Sequence, residues 1–219
     1  MKTKIAIAAL ISVLFINAAP AETPVNGSVG TKYTSDYHRR GAQLSTEAIQ
    51  AQVGFNVGLG GLDVFGDFFT NQGTDSSVDT NELTLGVGSG LFDDRLNAYI
   101  GVYNTDSTGG DNDLEVFAQL GLGSVLSPTV SVYRDTDDDL YTFEGTLSHT
   151  FDLNIVDVEV AGSLGNTDAS SIQEYTYTGA KVTVSKSIND INVYTDLGLT
   201  DTENRDNKAV WGIGLSLKF

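Results

Sequence analysis

The 219-residue chain carries 29 acidic and 12 basic side chains, a formal charge of −17, so it lacks the basic face that nucleic-acid phosphates require. Cysteine is absent, which excludes both a disulfide scaffold and thiol chemistry. With 24 glycines, 3 prolines, 9 tyrosines and 10 phenylalanines, the composition suits crowded strands better than a disordered linker.

Met1 to Ala21 reads as a secretory signal peptide. Lys2 and Lys4 form the charged start, Ile5 to Ile16 is a nearly unbroken apolar run, and Ala19-Pro20-Ala21 supplies the small-x-small cleavage pattern. The run is too short for a transmembrane helix, and no other stretch approaches the roughly 20 apolar residues that one needs. The expected mature chain, residues 22–219, is a single domain, more acidic than the precursor because it loses both lysines.

Beyond Glu22 the pattern is period-two alternation, the signature of strands whose successive side chains point to opposite faces. It predicts a first strand over Gly27–Tyr37 and a second over Ala48–Leu59, with Gly60-Gly61 turning into a third over Leu62–Asn71. After the polar stretch Gln72–Val78 come Asn81–Leu91, an Asp93-Asp94 turn and Leu96–Asn104. The loop Thr105–Asn112 leads to Asp113–Gly123, and Ser124–Leu126 leads to Pro128–Arg134. The acidic run Asp135–Asp139 precedes Tyr141–Phe151, and Asp152–Asn154 turns into Ile155–Leu164. A loop over Asn166–Glu174 precedes Tyr175–Ile188; Asn189-Asp190 then turns into Ile191–Thr200, and Asp201–Asn207 reaches the last strand.

That last strand, Lys208–Phe219, places Trp211, Ile213, Leu215, Leu217 and Phe219 on one face and Val210, Gly212, Gly214, Ser216 and Lys218 on the other. It resembles the closing strand of bacterial outer-membrane β-barrels. The resemblance implies that Trp211, Leu217 and Phe219 belong to a signal read by the barrel-assembly machinery. Twelve strands with short turns and long loops in alternation agree with an all-β, antiparallel up-and-down barrel with both termini periplasmic. A soluble β-sandwich is the competing reading of many short strands, but it does not account for the alternating loop lengths.

Apolar stripes such as Leu83, Leu85, Val87 and Leu91, or Leu114, Val116, Ala118, Leu120 and Leu122, are assigned to lipid. The opposite parity then lines the lumen. Its acidic candidates are Asp63, Asp67, Glu82, Glu115, Glu144, Asp157, Glu159 and Asp196, and its basic ones Lys32, Arg95, Lys181 and Lys218. Charges in such number imply water, because unpaired charge in a dry core is very costly. Phe65, Phe69, Tyr99, Tyr103, Phe117 and Tyr194 share that parity and would form either a plug or an apolar contact line.

Ser35-Asp36-Tyr37-His38-Arg39-Arg40-Gly41, with Gln43 and the segment Ala48–Phe55 after it, matches the pattern Ser-Asp-Tyr-x-x-Arg-Gly. Over Gly27 to Phe55 the chain resembles the opening hairpin of uncharacterised proteobacterial outer-membrane proteins of the Gcw conserved-hypothetical type, regarded as porin-like barrels. The resemblance implies location and fold, not substrate. On the residues themselves, Asp36 and Arg40 are expected to pair across the strand-to-loop corner, with Gly41 allowing the turn. The alternative use of Arg39 and Arg40 is to bind lipopolysaccharide phosphates at the rim.

Catalysis is not expected. His38 and His149 are the only histidines, and neither has a nucleophile or acid partner in sequence. Asp135–Asp139 lacks the glycine and distal glutamate of a calcium loop and reads as a solvated, self-repelling surface. No cofactor is expected. Two functions stay open: a narrow, cation-leaning pore for small solutes, or a closed barrel acting through acidic external loops. The expected partners are outer-membrane lipid and lipopolysaccharide, the assembly machinery and small solutes, in a Gram-negative outer membrane.

Overall fold

The computed structural model describes residues 25–74, 78–93, 95–108, 112–137, 140–168, 174–203 and 207–219. The signal-peptide segment lies outside them, as does the latter part of the Asp135–Asp139 run. Twelve strands follow in order: β1 Val25–Arg39, β2 Ala42–Leu59, β3 Leu62–Gly73, β4 Thr80–Leu91, β5 Leu96–Ser107 and β6 Asn112–Leu122, then β7 Thr129–Asp135, β8 Tyr141–Asp152, β9 Asp157–Asp168, β10 Tyr175–Ile188, β11 Ile191–Thr202 and β12 Lys208–Lys218. Each pairs antiparallel with its sequence neighbours, and β1 closes on β12 through Ser28↔Lys218 to Thr34↔Gly212. Phe219 seals the seam by exchanging two backbone hydrogen bonds with Gly27, 2.7 and 3.0 Å long.

The burial pattern is inverted relative to a water-soluble protein. Leu197, Ile100 and Val130 are each more than 60% exposed on the outer face, whereas the buried side chains are mostly Thr, Ser, Asn and Glu. Only Ala48, Val57 and Tyr177 are buried and apolar among the described residues. A β-sandwich would bury its apolar faces between its sheets. A closed barrel satisfies every strand backbone laterally and can present those faces to hydrocarbon. The outward stripes are the ones the alternation assigns to lipid, and the all-β barrel of twelve strands is the observed fold.

One end of the barrel carries the start of β1, the end of β12 and the shorter turns, among them Gly60-Gly61 and Asn189-Asp190. Gly60 and Gly61 have φ of 61° and 94° and Asn189 has 55°, the left-handed values that tight hairpins need. His149 sits near this end on the outer face. Its ring lies edge-on to Phe151 at 4.4 Å, with Nδ1 2.7 Å from the carbonyl of Val125. The other end carries the longer connections and one exception. β1 and β2 run on to Arg39 and Ala42, leaving Arg40-Gly41 as a two-residue turn where the sequence predicts a ten-residue loop.

Candidate functional site

The first hairpin bends into the barrel. Thr34 and Tyr37 both turn inward, which strict alternation forbids. The strand register shifts between Tyr37 and His38, and Glu47 on β2 has a left-handed φ of 45°. Irregularities of this kind bend a β-ribbon and redirect its side chains.

Inside the mouth, the Tyr37 hydroxyl donates to Glu82 Oε1 on β4 at 2.6 Å. Arg39 donates to Thr105 Oγ1 on β5 and stands 3.8 Å from Asp113 and 3.9 Å from Glu115 on β6. Arg40 pairs with Glu115 Oε1 at 2.5 Å, and its guanidinium lies 3.7 Å from the ring centroid of Tyr133 on β7. The turn backbone is held from the opposite wall: the Tyr175 hydroxyl donates to the Arg40 carbonyl (3.2 Å) and Thr202 to that of Gly41 (2.9 Å). The tip therefore spans the lumen from β10–β11 to β5–β7.

Two backbone features show how tightly this placement is specified. Gly41 has φ +77°, and a Cβ there would come within 2.7 Å of the Tyr177 Cβ, so only glycine fits. Arg40 adopts φ 47° without being glycine, a conformation that costs roughly 1–2 kcal/mol. The compensation is its side chain, which neutralises a Glu115 that is 2% exposed. The expected Asp36–Arg40 corner bridge does not form; Asp36 Oδ1 instead accepts from Gln43 Nε2 at 2.6 Å. Arg39 and Arg40 point into the lumen, so the rim-facing use of this pair is not the one built here. His38 likewise lines the interior and not the outer rim.

The hairpin leaves two chambers beside it. The larger, about 600 Å³, runs along small residues of β9 and β10, including Ala161, Ser163 and Gly179. Its charged lining consists of Asp36, Asp67, Glu82, Glu144 and Asp196 with Lys32 and Lys181. The smaller, about 450 Å³, lies under Arg39 and Arg40 against an aromatic wall. A third cavity of about 360 Å³, near the turn end, contains Asp157, Asn192 and Lys218.

The sequence-derived lumen candidates separate accordingly. Asp67 accepts from Gln52 Nε2 at 2.8 Å, Glu144 from the Tyr177 hydroxyl at 2.8 Å, and Asp196 pairs with Lys32 at 2.7 Å. Glu82 and Glu115 hold the hairpin. Lys181 lines the large chamber and Asp157 the turn-end cavity. Asp63, on a rung with Gly88, and Glu159, on rungs with Thr150 and Thr183, are half-buried wall residues. Arg95 is exposed in the turn before β5, where its carbonyl accepts from the amide of Gly123 at 2.9 Å. Trp211 and Leu217 on β12 and Phe219 just after it face outward, at 49%, 37% and 73% exposure.

Strand parity misses Tyr37 and Arg39, which follow the irregularity in the first hairpin, and Arg40, which lies in its turn; Tyr133 and Tyr177 share the inward parity of Ser131 and Lys181 and join the lumen residues. The available signal is a turn rich in charge and left-handed geometry where every other connection at that end is longer.

No protein-family model matches the chain, and no curated protein matches it in sequence. Solved structures do match it. The KdgM porin in complex with disordered oligogalacturonate superposes with a TM-score of 0.60 at 12% identity, over 88% of this chain and 99% of that one. The NanC porin gives 0.59 at 12% identity, over 87% and 100%. An outer membrane channel from Pseudomonas putida F1 gives 0.55 at 15% identity, over 92% and 97%. At these identities the shared property is the fold, and it is the fold of outer-membrane porins.

Proposed function

We propose that the chain is an outer-membrane, porin-like channel for small hydrophilic solutes, narrowed at one mouth by its own first hairpin. The observation that carries this is the chamber of about 600 Å³ beside the hairpin, lined with small and charged residues where a structural barrel would be filled. Its lining holds more carboxylates than lysines, and a wall of that sign favours cations. The porin fold supports the outer-membrane location. In that orientation the chain ends are periplasmic, the Arg40-Gly41 mouth is external, and β12 engages the assembly machinery. The first hairpin's likeness to the Gcw-type proteins accords with this location. Outer-membrane lipid and lipopolysaccharide contact the apolar exterior and the loop ends.

The hairpin in the mouth favours a second reading, a closed barrel acting through its external loops. Planar-bilayer recording from the refolded chain in a salt gradient separates the two. The channel reading predicts discrete conductance steps with a cation-selective reversal potential, and a shift toward zero selectivity in Asp36→Asn/Asp67→Asn. Silence from protein shown to be folded rejects the channel.

A further inference from the structure

The chamber of about 450 Å³ under the hairpin has a lining unlike the rest of the lumen. Tyr99, Phe65, Phe117 and Tyr133 form a continuous ladder, with successive ring centroids 5.7, 6.5 and 6.0 Å apart. The first three rings do not fill the barrel because each lies over a glycine of the neighbouring strand. A Cβ on Gly88 would come within 2.1 Å of Tyr99, one on Gly86 within 2.4 Å of Phe65 and one on Gly101 within 2.7 Å of Phe117. The glycines set the rings down against the wall and leave space in front of them.

Hydrogen-bonding side chains alternate with these rings by register: Asn56 is the rung partner of Phe65, Gln119 of Tyr99 and Thr84 of Tyr103. All three line the chamber. The charged groups at its border are each held by another side chain. Arg40 is paired with Glu115, Glu82 accepts from Tyr37, and Glu144 accepts from Tyr177. Arg40 and Arg39 take the cation sites over Tyr133 and Tyr103, and their charge offsets that of the Glu82 and Glu144 carboxylates in the same lining, which leaves a free cation little to gain here. A free anion meets arginines that are already neutralised.

What remains is an aromatic surface flanked by amide and hydroxyl groups that both donate and accept, and by carboxylates that accept. A neutral saccharide has the complementary chemistry: an apolar C–H face for the rings and a rim of hydroxyls for the polar groups. We propose that this chamber is a binding subsite for neutral saccharide rings, placed where a solute passes the hairpin. The proposal rests on the channel reading for its role in transport, but binding can be measured without transport.

The test is isothermal titration of the detergent-folded full chain with maltose, with tetraethylene glycol (a ringless polyether) and with tetramethylammonium. The expected result is saturable maltose binding and none for the other two. Tyr99→Leu and Gln119→Ala should each weaken maltose at least tenfold, while Phe68→Leu on the outer face leaves it unchanged. Should Tyr99→Leu fail to fold, Gln119→Ala carries the comparison. Absence of saturable maltose binding, equal binding of the polyether, or tetramethylammonium bound in place of maltose overturns the proposal. A protein that conducts salt but does not bind maltose loses the subsite and keeps the channel; one that binds maltose without conducting keeps the subsite and loses the channel.

Discussion

Arg40 combines three roles that rarely coincide in one residue. It occupies a left-handed turn position, neutralises a buried glutamate two strand pairs away and stacks on Tyr133. Truncating one partner of a buried ion pair leaves the other charge uncompensated, at a cost of about 3–5 kcal/mol. Arg40→Ala is therefore expected to lower unfolding stability by that order in urea titrations from lipid vesicles. Arg40→Gly/Glu115→Gln should recover most of the loss, since it removes the stranded charge and suits the backbone. Gly41→Ala acts from the other side. It adds the left-handed cost of roughly 1–2 kcal/mol to an overlap with Tyr177 and Thr202, so the tip should leave its seat and the unit conductance should rise. Unchanged conductance in folded Gly41→Ala would mean that the tip does not limit the passage.

For the strands, the two faces predict opposite responses to the same change. Leu197, near the middle of β11 and 61% exposed, faces outward; Leu197→Arg should cost about 2–4 kcal/mol in vesicles. Thr183 on β10 faces inward on rungs with Asp196 and Glu159, so Thr183→Arg should be nearly neutral. Equal costs at the two positions would contradict the assignment of faces. At the seam, deleting Phe219 removes both backbone hydrogen bonds to Gly27 and the proposed assembly signal. The expected outcome is reduced accumulation of folded barrel in cells, read by heat-modifiable migration on gels.

Taken whole, the barrel was legible because alternation is a local signal: Leu83, Leu85 and Val87, or Leu197 and Leu199, declare their face without knowledge of any partner. The inward parity of Phe65, Tyr99 and Phe117 was equally plain. Their packing over Gly86, Gly88 and Gly101 was not, because it depends on inter-strand register, which a single strand does not encode. The hairpin was hidden for a stronger reason. Its position is fixed by Glu115, Tyr175 and Thr202, at sequence separations of up to 161 residues between Gly41 and Thr202, and by two local breaks in parity. Read along the strand alone, Arg39 and Arg40 belong to the rim. Arg95 illustrates the converse error: parity carried inward past a strand end assigns a lumen role to an exposed turn residue.

If water fills a lumen that the first hairpin narrows, freeing the hairpin must widen the passage. The most direct measurement is the single-channel conductance of the refolded wild-type chain beside Arg40→Gly/Glu115→Gln, in the same bilayer and salt gradient. The wild type should give small discrete steps with a cation-selective reversal potential, and the variant larger steps of similar selectivity. Silence from both proteins, each shown to be folded, or identical conductance in the two, would contradict it.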